Sequence, residues 1–495
     1  MLLSKPKLIY FKPALGDSSV VLGTESHNYT FDDKDVVDGF FDLAYGAKVV
    51  YMPTLRIFKH YLQAYANNTG VELKIEESIN WCASIKIGNL TIKNFDLIFP
   101  RNGIKCANDM RICLEAAEKI GYKEERSLVS FAFNSLRKKM GWCIFSWDYL
   151  QQKMCDEDKV RKAVSAGLFL AKDNTGVEHT DIISIDVNSL YPSIVLNERL
   201  PTGKCGVKFG YKRVINNPKA YYHFYEIKFT SCQLIDGKLD LLRHPTRPSY
   251  SITELDQAYS KTLMLSQDDY DYLVENYLGN WSVYRTYTFR TKMAKFRQQL
   301  EAWRAIKIDE QASNAEKYCA KVCLNGVIGK FAQTRHLSLD HYDIKGARFP
   351  ALTAAVHAKG RKILREAIHV IGWDNFVYCD TDSIKFSDPD GSILEEIRDR
   401  GWLDPQDFGK WKVESIGTKL KVFGIKQYVE KYRDGSSKLT LAGASGLVTC
   451  DKLYEDIHMG TVLEAIPKTI LTEYGARVEM SKYTVGAPGG LTNPD

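Results

Sequence analysis

Over roughly the first 160 residues, short apolar runs alternate with stretches in which apolar positions recur every three to four residues. The runs at 7–11, 49–51 and 97–99 predict strands, those at 57–66 and 109–120 predict helices, and their alternation predicts an α/β layer. After a loop at 172–176 comes the segment 181–187, where Ile182, Ile183, Ile185 and Val187 are apolar on both sides of the alternation. That pattern predicts a strand buried on both faces. Residues 200–290 read as mixed strands and turns punctuated by Gly203, Gly206, Gly210 and a proline-rich stretch at 244–248, an inserted subdomain. Two helices are predicted at 291–306 and 310–327, then a long one at 353–370 closed by Gly372, then a strand-turn-strand at 376–386. From about residue 442 no strong period is visible, and 486–495 predicts a loose terminus. The expected class is α/β (α+β).

Composition narrows the options. A chain of 495 residues with 44% hydrophobic and 26% charged residues has length for about three domains. Its 34 Gly and 15 Pro exclude collagen-like and low-complexity chains. Eleven cysteines, an odd number with no C-x-x-C pair, fit a reducing compartment better than a disulfide framework or a zinc site. No secretory apolar region opens the chain and no run approaches 18 apolar residues, so an intracellular protein without a membrane partner is expected. The net charge of +6 is modest, but from Arg285 to Lys307 seven basic residues face one acid, Glu301. Met293, Phe296, Leu300 and Trp303 recur there at helical spacing, which makes either a solvated face over a core stripe or a surface for phosphates.

Three constellations carry candidate chemistry. In Asp186-Val-Asn-Ser-Leu-Tyr-Pro-Ser193 an apolar strand delivers an acid to its C-terminal end. In Tyr378-Cys-Asp-Thr-Asp-Ser-Ile384 two acids share a tight turn, which costs stability unless a cation sits between them. Ile384 and Lys385 exclude an EF-hand. Singly, each aspartate is also what a turn uses. In the third, Lys317, Lys321 and Asn325 fall on one helix face, ahead of Gly326 and Gly329. Paired carboxylates that bind hard divalent ions, facing a cationic helix, meet the demands of nucleotidyl transfer.

In this order, D-x-x-S-L-Y-P-S, K-x-x-x-N-G-x-x-G and Y-x-D-T-D-S closely resemble motifs A, B and C of family B DNA polymerases, and Lys426-Gln-Tyr428 resembles the K-x-Y motif that grips the primer. The long insert after motif A resembles the protein-primed subgroup typified by phi29-like bacteriophage polymerases. The resemblance implies a right-hand fold with palm, fingers and thumb behind an N-terminal exonuclease-like (RNase H-like) domain. The segments would be the exonuclease-like part (1–160), palm with motif A (161–199), terminal-protein-region insertion (200–290) and fingers (291–330), then a short second insertion (331–349), palm with motif C (350–441) and thumb (442–495). It implies template-directed addition of dNTPs to a primer 3′-hydroxyl with two Mg²⁺ ions, Mn²⁺ being a substitute. Asp186 and Asp382 would bridge the metals with the Val187 carbonyl, and Asp380 would be an auxiliary acid. Ser189, Leu190, Tyr191, Lys307, Lys321 and Asn325 would contact the nucleotide, with Tyr191 under the sugar excluding a 2′-hydroxyl. Thr381, Lys426 and Tyr428 would contact DNA. The implied partners are a primer-template, dNTPs and a terminal protein that primes synthesis, and the implied location is a host cytoplasm, the gene being viral or plasmid-borne.

The chain departs from that family in three places. Gly326 and Ile328 replace the serine and tyrosine of motif B, and Val164-Ser-Ala-Gly167 replaces the linker Tyr-x-Gly-Gly. Of the exonuclease carboxylates only Asp109 remains: 9–12 reads Ile-Tyr-Phe-Lys, and no acid occurs at 46–71. A degenerate domain without 3′–5′ exonuclease is therefore expected. Two other readings stay open, a primer-synthesising or RNA-directed polymerase and a non-catalytic DNA-binding replication factor. Tyr191 argues against the first. Retention of Asp186, Asp382 and Lys321 together argues against the second.

Overall fold

The strand at Glu178–Val187 lies at the centre of a seven-stranded sheet whose order runs Ser437–Leu441, Gln427–Tyr432, Trp411–Gly424, Glu178–Val187, Ser383–Ser387, Phe376–Asp380, Phe169–Ala171. Every neighbouring pair is antiparallel. Ile183, Ile185 and Val187 enter the main core with the long helix Pro350–Ile371, while Ile182 packs on the other face with Val377, Tyr378, Leu420 and Val422. The continuous apolar run of this strand follows from that double burial. The coordinates are a computed structural model describing residues 7–15, 19–78, 81–99, 104–123, 127–140, 159–165, 167–214, 217, 219–244, 247–252, 262–332, 336–338, 341–342, 349–442 and 454–487.

The N-terminal part is a five-stranded sheet with the parallel pairs Lys7–Leu8/Val49–Met52 and Val49–Met52/Leu90–Asn94, packed with the helices Val36–Ala44 and Leu55–Thr69. Two predicted strands differ from this. The run at 7–11 is split, because Lys7–Leu8 joins the five-stranded sheet and Tyr10–Lys12 a separate three-stranded one. Residues 97–99 are not a strand. The strand there is Leu90–Asn94, and the Asn94 side chain, accepting from the Asp96 amide at 2.9 Å, turns the chain into a short 3₁₀ segment at Phe95–Leu97. Ile98 and Phe99 are apolar because they are buried in the main core, not because they pair.

Within 200–290, Leu200–Phe209, Tyr277–Lys292, Tyr221–Leu234 and Thr262–Ser266 form a sheet of their own in that order. The strand Tyr277–Lys292 overruns the predicted start of the helix at 291, since Thr291 and Lys292 still pair with Pro201 and Leu200; the helix is Arg297–Ile308. The helix Gln267–Asn276 leaves this sheet and packs on Pro350–Ile371. There the buried Asp269 receives Arg361 and Arg365, each at 2.6 Å.

The C-terminal segment is more regular than its sequence suggests. Val462–Leu471 and Ala476–Thr484 form a long antiparallel hairpin. Its period is hidden because Leu463 and Tyr483 are buried beside Phe423, whereas Ala476 joins the N-terminal core. Near the hairpin's tip, the Tyr61 hydroxyl donates to the Ala476 carbonyl at 2.9 Å. Residues 245 and 246 of the proline-rich stretch and 488–495 of the predicted loose terminus lie outside the described residues.

Candidate active site

Asp186 stands at the end of the central strand, with Ser383 and Lys412 as its partners on either side. The neighbouring hairpin turns at Thr381, whose φ is +62°. Two backbone bonds set the turn. The Asp382 amide donates to the Asp380 carbonyl at 2.6 Å, and the Val187 amide donates to the Asp382 carbonyl at 2.7 Å. The second holds Asp382 against the end of the Asp186 strand. The Thr381 amide also donates to the Leu168 carbonyl at 2.9 Å. Gly167 lies so close that a Cβ there would sit 2.6 Å from Thr381 Cα.

The three acids repel. Burial, then Asp186 and Asp380, push the Asp382 carboxyl up to about 6. Burial also raises Asp186, opposed by Lys412, whose Nζ is 3.2 Å from Asp186 Oδ1. Asp380 is held by Lys426 at 2.5 Å and accepts from the Thr381 hydroxyl at 3.0 Å. A cleft of about 700 Å³ opens here, lined by Asp186, Asp380, Asp382, Glu414, Lys426 and Tyr428 among others.

On the other side of Asp186, Ser189 at φ +55° starts the helix Leu190–Asn197. The first amides of a helix, here Leu190 and Tyr191, have no intrahelical acceptor and suit an anion. Lys307 reaches this turn, with Nζ 2.5 Å from Ser189 Oγ and 3.2 Å from Asn188 Oδ1. Burial, then Lys412 and Lys321, lower its pKa to about 8. Lys321 and Asn325 share an exposed face of the helix Asn314–Lys330, with Lys317 partly covered one turn earlier. The Tyr191 ring lies 4.7 Å from that of His357. Lys426, at φ +57°, donates its amide to the Tyr378 hydroxyl at 2.9 Å, and Tyr428 packs on the Tyr378 ring at 5.3 Å.

The structure thus gathers Asp186, Asp380, Asp382, Val187, Thr381, Ser189, Lys307, Lys321 and Lys426 around one centre. Asn325 takes no part in the hydrogen bonds of the acidic turn. Lys412 and Glu414 were missed by sequence reasoning; Lys412 pairs with Asp186, and Glu414 is the unpaired residue where the ladder skips from Val413 to Ser415, an irregularity that no sequence period announces. Of the basic helix, Arg304 is engaged by Asp407 at 3.0 Å and Arg297 by Glu301 at 3.0 Å, so Lys307 is the cation that reaches the acidic centre.

All donors at the acidic turn are oxygens, the preference of Mg²⁺. Among the described residues no group of three or more His, Cys, Asp or Glu side chains is placed to hold a metal ion. What favours a cation at the turn is the mutual repulsion of its carboxylates, which an oxygen-preferring ion would relieve. Asp109 has a different role. It accepts the amides of Lys105 at 2.7 Å and Cys106 at 3.2 Å, and so caps the helix Ala107–Lys119.

The antiparallel sheet carries the acidic turn, with helices facing it, and the fold and sequence can be compared with known proteins. Residues 65–342 match the family model for DNA polymerase type B, organellar and viral. The chain belongs to that family. It is 28% identical over 321 residues to the DNA polymerase of Streptococcus phage Cp-1, covering 58% of this chain and 53% of that one. To the DNA polymerase of Bacillus phage phi29 it is 23% identical over 340 residues, covering 61% and 57%. The chain thus spans about half to three fifths of the length of these curated relatives. Its fold matches that of phi29 DNA polymerase complexed with single-stranded DNA, with a TM-score of 0.77 at 17% identity over 97% of this chain and 100% of that one. The match to the same enzyme complexed with primer-template DNA gives 0.76. Among the described residues no helix is long and apolar enough to cross a membrane.

Proposed function

We propose that this protein extends DNA primers by template-directed addition of dNTPs. The observation that carries the reading is the Val187 to Asp382 backbone bond, which holds two mutually repelling carboxylates together within reach of Lys307, Lys321 and Lys412. Asp186, Asp382 and the Val187 carbonyl hold divalent metal, Mg²⁺ or in substitution Mn²⁺, with Asp380 as auxiliary acid. Metal bound there supplies activation of the primer 3′-hydroxyl and neutralisation of the leaving pyrophosphate. The amides of Leu190 and Tyr191, with Ser189, Lys307, Lys321 and Asn325, hold the triphosphate, and Tyr191 lies under the sugar. Thr381, Lys426 and Tyr428 hold the primer end; Lys426 must then exchange Asp380 for a phosphate.

A terminal protein docks on the insertion at 200–290 and primes replication of a linear viral or plasmid genome in the host cytoplasm, a reading supported by the long segment after motif A. Proofreading is absent. Support for this is the missing acids at 9–12 and 46–71 and the capping role of Asp109.

The test is a 5′-labelled primer on a longer template with Mg²⁺, with and without dNTPs. Extension with dNTPs and no shortening without them is the expected result; absence of extension, with or without candidate protein primers, defeats the proposal. In the same assay Gly167→Ala is expected to displace the Thr381 turn and slow single-turnover extension by about 10- to 100-fold, since a shift near 1 Å at a catalytic group has that effect.

A further inference from the structure

Behind Tyr191 the helix Pro350–Ile371 presents His357 and Gly360. The two rings lie 4.7 Å apart and tilted by 36°, close to a stacked arrangement. His357 is itself fixed, because its Nδ1 lies 2.7 Å from the Ser165 carbonyl and so donates to it. The same carbonyl accepts from Arg361 Nη1 at 3.1 Å, and Arg361 is anchored on Asp269. Burial, then Arg361, lower the His357 pKa to about 4, so the ring stays neutral and does not swell its hydration at working pH. One turn on, a Cβ at Gly360 would meet Tyr191 Cε1 at 3.1 Å and Leu190 Cδ2 at 3.3 Å. The back of Tyr191 is therefore a fitted surface made of one ring and one glycine.

We infer that His357 is a positioning residue for sugar selection: its ring, tied to Ser165, sets how far Tyr191 stands forward and hence how strictly a ribonucleotide is rejected. This rests on the reading of Tyr191 as the residue under the sugar. Tyr191 touches the substrate in that reading; His357 acts through it. A side chain smaller than His357 leaves a gap into which the Tyr191 ring retreats, making room for a 2′-hydroxyl.

The experiment measures kcat and KM for dNTPs and for the matching NTPs on a primed template, in the unaltered protein, Tyr191→Ala, His357→Ala, His357→Phe and Gly360→Ala. His357→Ala is expected to lower the dNTP/NTP ratio of kcat/KM by about 10-fold, mainly through a smaller KM for NTPs. His357→Phe, which keeps a flat ring but loses the bond to Ser165, is expected to fall between the unaltered protein and His357→Ala. Gly360→Ala adds one methyl to a helix interior that tolerates alanine, so the protein stays folded. It is expected to move the same ratio by threefold or more by pressing on Tyr191. The inference is overturned if Tyr191→Ala collapses the ratio while His357→Ala and Gly360→Ala leave it unchanged. A loss of turnover in His357→Ala with an unchanged ratio, the mark of a merely structural residue, overturns it too. A ratio that Tyr191→Ala fails to move defeats the underlying reading of Tyr191 instead.

Discussion

Asp382→Asn is expected to slow primer extension by at least about 10³-fold, equivalent to roughly 4 kcal/mol of lost charge stabilisation, yet to make the metal-free protein harder to unfold at pH 8. The first effect follows from removing one of two carboxylates that the backbone holds together at the end of the central strand. The second follows from the direction of its pKa. Burial and the neighbouring Asp186 and Asp380 raise the folded-state carboxyl to about 6, against about 4 for an aspartate in the unfolded chain. A carboxyl raised on folding gives up stability as it ionises, so the penalty is nil below about 4, develops between about 4 and 6, and is complete above. Its size is on the order of 2 kcal/mol after allowance for residual solvent. Thermal unfolding in chelator should accordingly show the variant above the unaltered protein at pH 8 and level with it at pH 4. Equal stability at both values would show that the carboxylates do not repel as described.

Asp269→Ala has the opposite character: a large loss of stability without any change in the acidic turn. The carboxylate is buried, and although burial alone would push it up, Arg361 and Arg365 together hold it well below the usual carboxylate range. Its contribution is therefore present above about pH 4 and fades only in stronger acid. Removal deprives two enclosed guanidinium groups, 4% and 3% exposed, of the carboxylate they share, for a cost of about 3–5 kcal/mol. Arg365 has Tyr272 beneath it, 4.6 Å from the ring centroid, as its remaining partner of consequence. Urea unfolding should show the loss. Replacing all three groups at once, as Asp269→Leu with Arg361→Met and Arg365→Met, should restore most of it, because a well-packed apolar cluster avoids the desolvation of the charges.

The two residue groups differ in how far they could be read in advance. Asp186, Asp380 and Asp382 sit in short contiguous patterns, and the strands that carry them are marked by apolar runs with one interpretation at that length. Lys307 stands at the end of a basic stretch that the helical period shows, but only the family resemblance singled it out. Asp269, Arg361 and Arg365 have no local signature, since the partners lie more than 90 residues apart and each looks like a solvated charge on an amphipathic helix. His357 is equally silent, because a histidine in a helix declares neither the ring it faces nor the carbonyl it binds. The misjudged strand at 97–99 and the unseen hairpin after 462 share another cause. Hydrophobicity reports burial, and a residue can be buried by a distant part of the chain without pairing in a sheet.

That last point has a temporal side. The hydroxyl of Tyr61 meets a carbonyl 415 positions further along the chain, and Gly475 leaves room for the Tyr61 ring, since a Cβ there would fall 2.3 Å from Cδ1. At a synthesis rate of about 5–20 residues per second, roughly 20–80 s separate the emergence of the two partners from the ribosome. Throughout that interval the nascent N-terminal layer has to hold itself together on its own core, with Phe11, Phe40 and Phe58 packed ring on ring at its centre, and without Ala476. The turn at Gly475 and Ala476 thus closes over a ring that was translated some 415 residues before it.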